Sequence, residues 1–179
     1  NSKLKEPFVY AITQSVNYEV GIINNFPVKE PDLKQEKDKI INLVQQCINL
    51  AKLDWDKSEI SWQFYNSPLV ANDNLEKSFS LFQVQVRENL VQIFQNECVI
   101  NEILLKTYGL ENDFDSQTPL KEISLYQDIV SIDKDYLDNP VEYLTSLHVN
   151  KEEVISQFIS YAIGLFMGRY RLDKPGLNI

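Results

Sequence analysis

The chain has 179 residues, 44% of them hydrophobic, which is enough for one ordinary domain with a real core and excludes a disordered tail. Its formal net charge is −9, and its arginines are Arg87, Arg169 and Arg171 alone. An acidic surface repels a phosphate backbone, so general electrostatic binding of nucleic acid is not expected, and any basic patch must be local to the C-terminal end.

No apolar run approaches the roughly 20 residues that span a bilayer. The chain opens on Asn1-Ser2-Lys3 with no secretory signal in view, and its one methionine is Met167. Cys47 and Cys98 each fall in an apolar-periodic segment, and with one histidine, His148, they make no metal site. Reduced, buried thiols and a cytoplasmic location are expected.

In chain order, Phe8-Val9-Tyr10-Ala11-Ile12 and Val20-Gly21-Ile22-Ile23 are rich in strand formers. A small N-terminal β or irregular segment is expected there, closing near residue 28. The first helix is expected from about Asp32, where Asp32 and Gln35 fit a capping box. Leu33, Ile40, Ile41, Val44, Cys47, Ile48, Ala51 and Trp55 recur at three and four and suggest one buried stripe.

Residues 54–71 form a connection containing Trp55 and Trp62. With Lys57 the one cation nearby, the two indoles are expected to plug a gap between helices rather than to stack on bases. A long helix follows, from a capping box at Asp73 and Glu76 to Gly109, with Leu110 placed for a Schellman cap. It needs a partner along its length, and the first helix is the expected antiparallel one.

Residues 111–119 suggest an acidic linker, Ile123–Tyr126 a short strand, and Asn139–Leu144 a short helix. The last helix is bounded by Asn150 with Glu153 and by a staple of Val149 on Val154. Its apolar far end suggests burial, with Gly164 and Gly168 on one face for close packing. The fold class expected is mainly α: a long antiparallel helical hairpin plus a buried C-terminal helix.

Three stretches resemble one family. Tyr161-Ala162-Ile163-Gly164-Leu165-Phe166-Met167-Gly168-Arg169-Tyr170-Arg171-Leu172-Asp173-Lys174-Pro175-Gly176-Leu177 resembles a signature of the PglX-type adenine-specific DNA methyltransferases of bacterial BREX phage-exclusion systems. In the same order along the chain, Asp54, Trp55, Asp56, Glu59, Ser61, Trp62, Phe64, Pro68 and Leu69 keep a second pattern of that family, with Gln63 in place of its commoner Asp. Asn17–Val28 is similar in part to a segment that closes β-rich modules in adenine methyltransferases, with Ile22 where Asp is frequent. Tyr108-Gly109-Leu110-Glu111-Asn112-Asp113 matches a further handover of the family.

The resemblance implies a piece of a much longer enzyme: residues 1–28 the tail end of a β-rich module, and residues 29–179 a helical spacer domain. It implies S-adenosylmethionine as the longer enzyme's cofactor, DNA as its partner, and other defence-system proteins as possible partners. A Gly-rich cofactor loop and an Asn-Pro-Pro-Tyr/Phe loop that grips a flipped base are absent from this sequence, and Asn139-Pro140-Val141-Glu142 lacks the second proline and the aromatic. No catalytic, cofactor-binding or metal residue is therefore assigned.

The candidate DNA contacts are Arg169, Tyr170, Arg171 and Lys174. The family usually has Ser where Arg171 stands, so a role for Arg171 is not inherited. The structural alternative is that Asp173 pairs with Arg169 while Pro175-Gly176 turns to cap the helix. A fused restriction–modification enzyme with the same spacer, and a non-enzymatic helical adaptor that binds protein through its hairpin, are the competing functions.

Overall fold

The computed structural model describes residues 3–12, 21, 24, 27–29 and 34–178. Asp32, Leu33 and most of the 17–28 segment lie outside these, so the first capping box does too, and of the strand expected over 20–23 Gly21 alone is described, with helical backbone. The described α-helices are α1 (Lys5–Ile12), α2 (Lys37–Asp56), α3 (Leu75–Tyr108), α4 (Pro140–Ser146) and α5 (Lys151–Phe166). A two-stranded antiparallel hairpin, β1 (Tyr170–Arg171) with β2 (Lys174–Leu177), closes the described chain. The mainly α expectation holds, and no helix of the described residues is long and apolar enough to cross a membrane.

Residues 8–12, expected to be strand-like, are helical. Pro7 sits in the first turn, where no backbone donor is needed. Leu4 is buried beside it, and Phe8 packs on Tyr108 with ring centroids 5.3 Å apart. Strand propensity is a preference for a pleated, half-buried surface, and here the surface on offer is the end of a helix.

The spine is α3, 34 residues long and about 50 Å at ~1.5 Å per residue. Its N-cap is Asn74 rather than Asp73: the Asn74 side chain accepts the Lys77 amide at 3.0 Å. At the other end Gly109 takes φ +68°, Leu110 N–H donates to Leu105 at 2.9 Å and Gly109 N–H to Lys106 at 3.2 Å. Those two bonds are the expected Schellman cap. Asn101, buried in mid-helix, accepts from Lys3 N–H at 3.0 Å and donates to Thr118 Oγ1 at 3.2 Å. It thereby ties the N-terminal turn to the chain after the helix.

Helix α2 runs antiparallel to α3, as its pairings show: Asn96 donates to Gln46 at 3.1 Å, while residues 35–39 face residues 99–107. The expected single stripe is in fact two. Cys47 and Leu50 pack into the core against α3, whereas Ile41, Val44, Ile48, Ala51 and Trp55 are exposed. No residue of α2 is fully buried.

The exposed turns of residues 111–115 fit the acidic linker expected over 111–119, but from Thr118 onwards the chain enters the core. Leu120, Ile123, Leu125, Tyr126, Ile129, Val130, Leu144, Leu147 and Val149 are buried in the main core with Val86, Leu90, Ile93 and Phe94 of α3. Residues 123–126 form no strand: they enter a run of turns in which Tyr126 takes φ +57°, and the extended pairing falls instead at Val130 with Val149. Only α4 comes out as its Asn139-Pro140 start suggests, with Pro140 at the head of the helix.

Glu97 of α3 carries a carboxylate oxygen that is shielded from solvent and has no hydrogen-bond partner among the described residues. Burial pushes its pKa up. A raised carboxyl pKa stabilises the fold fully below the unfolded value near 4.5 and loses that contribution as pH rises through the folded value. Glu97→Gln is therefore expected to raise stability at pH 7 by about 1 kcal/mol and to leave it unchanged below pH ~4. Denaturant titrations at the two pH values check this; equal shifts at both would rule out ionisation as the cause.

Candidate nucleic-acid interface

The C-terminal motif is placed by the end of α5. The start of that helix follows expectation, with Asn150 Oδ1 accepting from Glu152 and Glu153 amides at 3.1 Å each. Val149 and Val154 are both buried beside the cap. At its far end Gly168 takes φ +76°, Arg169 N–H donates to Gly164 at 2.8 Å and Gly168 N–H to Leu165 at 3.1 Å. Gly168 thus ends the helix in a second Schellman cap, and Pro175-Gly176 has no part in it.

Gly164 has a different task from the expected helix packing. A Cβ there would lie 2.6 Å from Tyr170 Cδ2. After the Gly168 turn the chain folds back, and the Tyr170 ring lies over the bare glycine. Tyr170, Tyr161 and Phe64 then form an aromatic cluster, with centroids 5.2 Å apart for the tyrosine pair and 5.4 and 5.7 Å from Phe64. All three are buried. Burial first, and the Glu59 carboxylate second, push the Tyr161 and Tyr170 hydroxyls up in pKa.

The hairpin is fastened from its other side too. Gly176 N–H donates to Tyr65 at 3.1 Å, and its φ of +74° is a left-handed conformation that would strain any side chain there. The two resembling stretches, 54–69 and 161–177, are therefore one structural unit joined by Phe64, Tyr161 and Tyr170.

Most residues of the 54–69 stretch hold that unit together. Asp56 accepts from Ser61 Oγ at 2.6 Å, and Ser61 Oγ accepts from Gln63 N–H at 3.1 Å, which fixes the turn. Asp54 accepts the Tyr126 amide at 3.0 Å. Lys57 bridges to Asp128 at 2.7 Å and to Asp54 at 3.4 Å. The tryptophans do not plug a gap: Trp62 is 98% exposed and Trp55 57%. The inward aromatic is Phe64, two residues on, because the Asp56–Ser61 turn aims that position at α5.

Of the four candidate contacts, Tyr170 is 4% exposed and taken up by packing. Arg171 is paired with Asp173 by two hydrogen bonds of 2.9 and 2.6 Å, so Asp173 serves Arg171 and not Arg169. Arg169 and Lys174 are exposed and make no ion pair among the described residues. The Arg169 guanidinium lies 6.0 Å from the Tyr170 ring centroid. That a hairpin holds these cations is not evident from residue patterning, although the two-residue Leu172-Asp173 loop is of a length that favours one.

Beyond the hairpin, the outer face of α5 is bare. Ile155, Ile159, Ile163, Phe166 and Met167 are exposed, Phe166 to 93%, so the helix expected to be buried hides only the side that carries Val154, Tyr161 and Gly164. A cleft of about 970 Å³ beside the start of α5 is lined by Asp128, Asp133, Tyr143, His148 and Lys151. Within it Tyr143 donates to Asp133 at 2.6 Å, while Asp128 is held by Lys57 and Lys151 lies over the Phe79 ring, both partners outside the cleft. No group of three or more metal-ligating side chains occurs among the described residues.

No protein-family model matches the chain. Two curated relatives do. The adenine-specific methyltransferase PglX of Lacticaseibacillus casei (strain Zhang) is 25% identical over 99% of this chain and 13% of its own length. The adenine-specific methyltransferase BrxX of Escherichia coli O9:H4 (strain HS) is 28% identical over 99% of this chain and 14% of its own. The chain thus spans about a seventh of the relatives it matches. Along almost its whole length it is similar to a segment of PglX/BrxX-type adenine-specific methyltransferases.

Proposed function

We propose that this chain is the helical spacer of an S-adenosylmethionine-dependent, site-specific adenine-N6 DNA methyltransferase acting in BREX phage defence in the cytoplasm. The observation that carries this is the similarity to two adenine-specific methyltransferases along 99% of the chain. Residues 1–28 close a preceding module, and residues 29–179 hold the catalytic and target-recognition parts of the longer enzyme at a fixed separation. The rigid length for that is the α2–α3 hairpin. The catalytic and cofactor chemistry belongs to the rest of the polypeptide, and other defence-system proteins are its possible partners.

Within the spacer, the C-terminal hairpin is the proposed DNA contact. Arg169 and Lys174 reach phosphates, Tyr170 holds the hairpin in place, and Arg171 stays with Asp173. Such contacts orient a duplex without reading its sequence. In the full-length methyltransferase, Arg169→Ala is expected to weaken DNA binding and to lower the slope of log K against log salt by roughly 0.9, one phosphate contact. A filter-binding salt series measures both. DNA affinity and slope equal to the parent's would remove Arg169 from the interface.

A further inference from the structure

We propose that the outer face of α2 is a docking seam for a partner α-helix whose flanks are acidic. Ile41, Val44, Ile48, Ala51 and Trp55 are spaced by three, four, three and four residues, the alternation that keeps a straight seam of knobs facing one neighbouring helix. All five are exposed, with Ile41 and Ile48 each at 54%. A strand or an irregular loop has no periodicity to match that spacing, so the occupant is a helix.

Charge selects which helix. Between Ile41 and Trp55 the one acid is Asp54, and it is turned inward to the Tyr126 amide and Lys57. Lys37 continues the seam one step towards the N-terminus, and Lys52 flanks it beside Ala51; both are exposed. Asp38, beside Lys37, is the exposed carboxylate of this helix, and Asp56 is taken up by Ser61 Oγ, so in a chain of net charge −9 the edge that carries Lys37 and Lys52 is net basic. A helix with apolar residues at the seam and glutamates beside them meets both features. A second copy would bring the same lysines, and a nucleic acid has no apolar stripe to offer.

Trp55 lies in the seam and reports on it. With Trp62→Phe, Trp55 becomes the single tryptophan of the chain. The probe is a synthetic three-heptad helical peptide with leucine at its seam positions and glutamate on its flanks. Its addition is expected to shift Trp55 emission to the blue saturably. Ile48→Asp, or independently Ala51→Glu, is expected to weaken that binding at least about tenfold. Both positions are exposed, so the fold, followed by far-ultraviolet circular dichroism, stays intact. The same peptide with lysine flanks is expected to bind about tenfold more weakly. The proposal fails if no peptide shifts the emission, if the lysine peptide binds as well, or if the seam variants change nothing. It also fails if the shift appears on concentrating the protein alone, which would assign the seam to a second copy, or if duplex DNA produces it.

Discussion

Tyr170→Ala is expected to cost about 3 kcal/mol, within the range for removing a large aromatic from a core, and to lower Tm by roughly 6–12 °C in a domain of this size. The side chain lost is the middle of the Phe64–Tyr161–Tyr170 cluster and the cover of Gly164. Without it the hairpin keeps the hydrogen bonds of Gly176 N–H to Tyr65, Asn178 N–H to Arg169 and Asn178 Nδ2 to Gly168. Near-ultraviolet circular dichroism should flatten with the melt, since three packed rings lose their fixed geometry together. Tyr170→Phe keeps the ring and loses only the hydroxyl beside Glu59, so it should stay within about 1 kcal/mol of the parent. In the full-length enzyme the pair also separates packing from stacking on DNA. If Tyr170→Phe binds DNA normally and Tyr170→Ala does so too despite its lower Tm, the hairpin has no part in DNA binding. A Tm for Tyr170→Ala equal to the parent's would mean that the cluster does not hold the hairpin.

What could be seen in the sequence was local. Asn150 caps α5, Gly109 ends α3, and the long uninterrupted periodicity over 75–108 gave the spine, because each depends on residues within one or two turns. Antiparallel pairing of α2 with α3 followed from length alone. The site was half legible. The residues of the 161–177 and 54–69 stretches could be marked from their resemblance, but not their meeting at Phe64, Tyr161 and Tyr170, which lie up to 106 residues apart in the chain.

The misses have physical causes. Trp62 is apolar and was expected inside, yet the Asp56–Ser61–Gln63 hydrogen bonds set the turn so that Phe64 points inward instead. The 120–130 stretch has no period of two or 3.6, because its buried residues hang from turns around Tyr126, so a periodicity argument passes over a large share of the core. The apolar arc of α2 is wider than α3 can cover. From sequence alone a wide arc and a buried stripe look the same.

Lys57→Met is expected to destabilise the fold by about 2 kcal/mol at pH 7. Losing one partner of a buried ion pair costs about 3–5 kcal/mol; that figure is discounted here because the Asp128 side chain is 41% exposed and partly screened. The Lys57 side chain itself is only 11% exposed. It neutralises Asp54 and Asp128 and lies over the Tyr126 ring, whose positive φ the Asp54 bond to its amide helps to hold. The sign of the pH dependence tests the electrostatic origin. Burial pushes the Asp128 pKa up, but hydrogen bonds from Lys57 and Gln157 outweigh it, and the net shift is downward. In the parent, Asp128 therefore contributes stability that is present above the unfolded value near 3.8 and is lost as pH falls through the lower folded value. Without the ammonium the burial effect is left opposed mainly by Gln157, at 2.9 Å. The Asp128 pKa then rises, and the variant gains relative stability as pH falls from neutral towards 4. The deficit of Lys57→Met should accordingly be widest at pH 7 and narrow on acidification. A deficit constant from pH 7 to pH 4 would show that Lys57 acts through the packing of its aliphatic stem on Tyr126 and not through its charge.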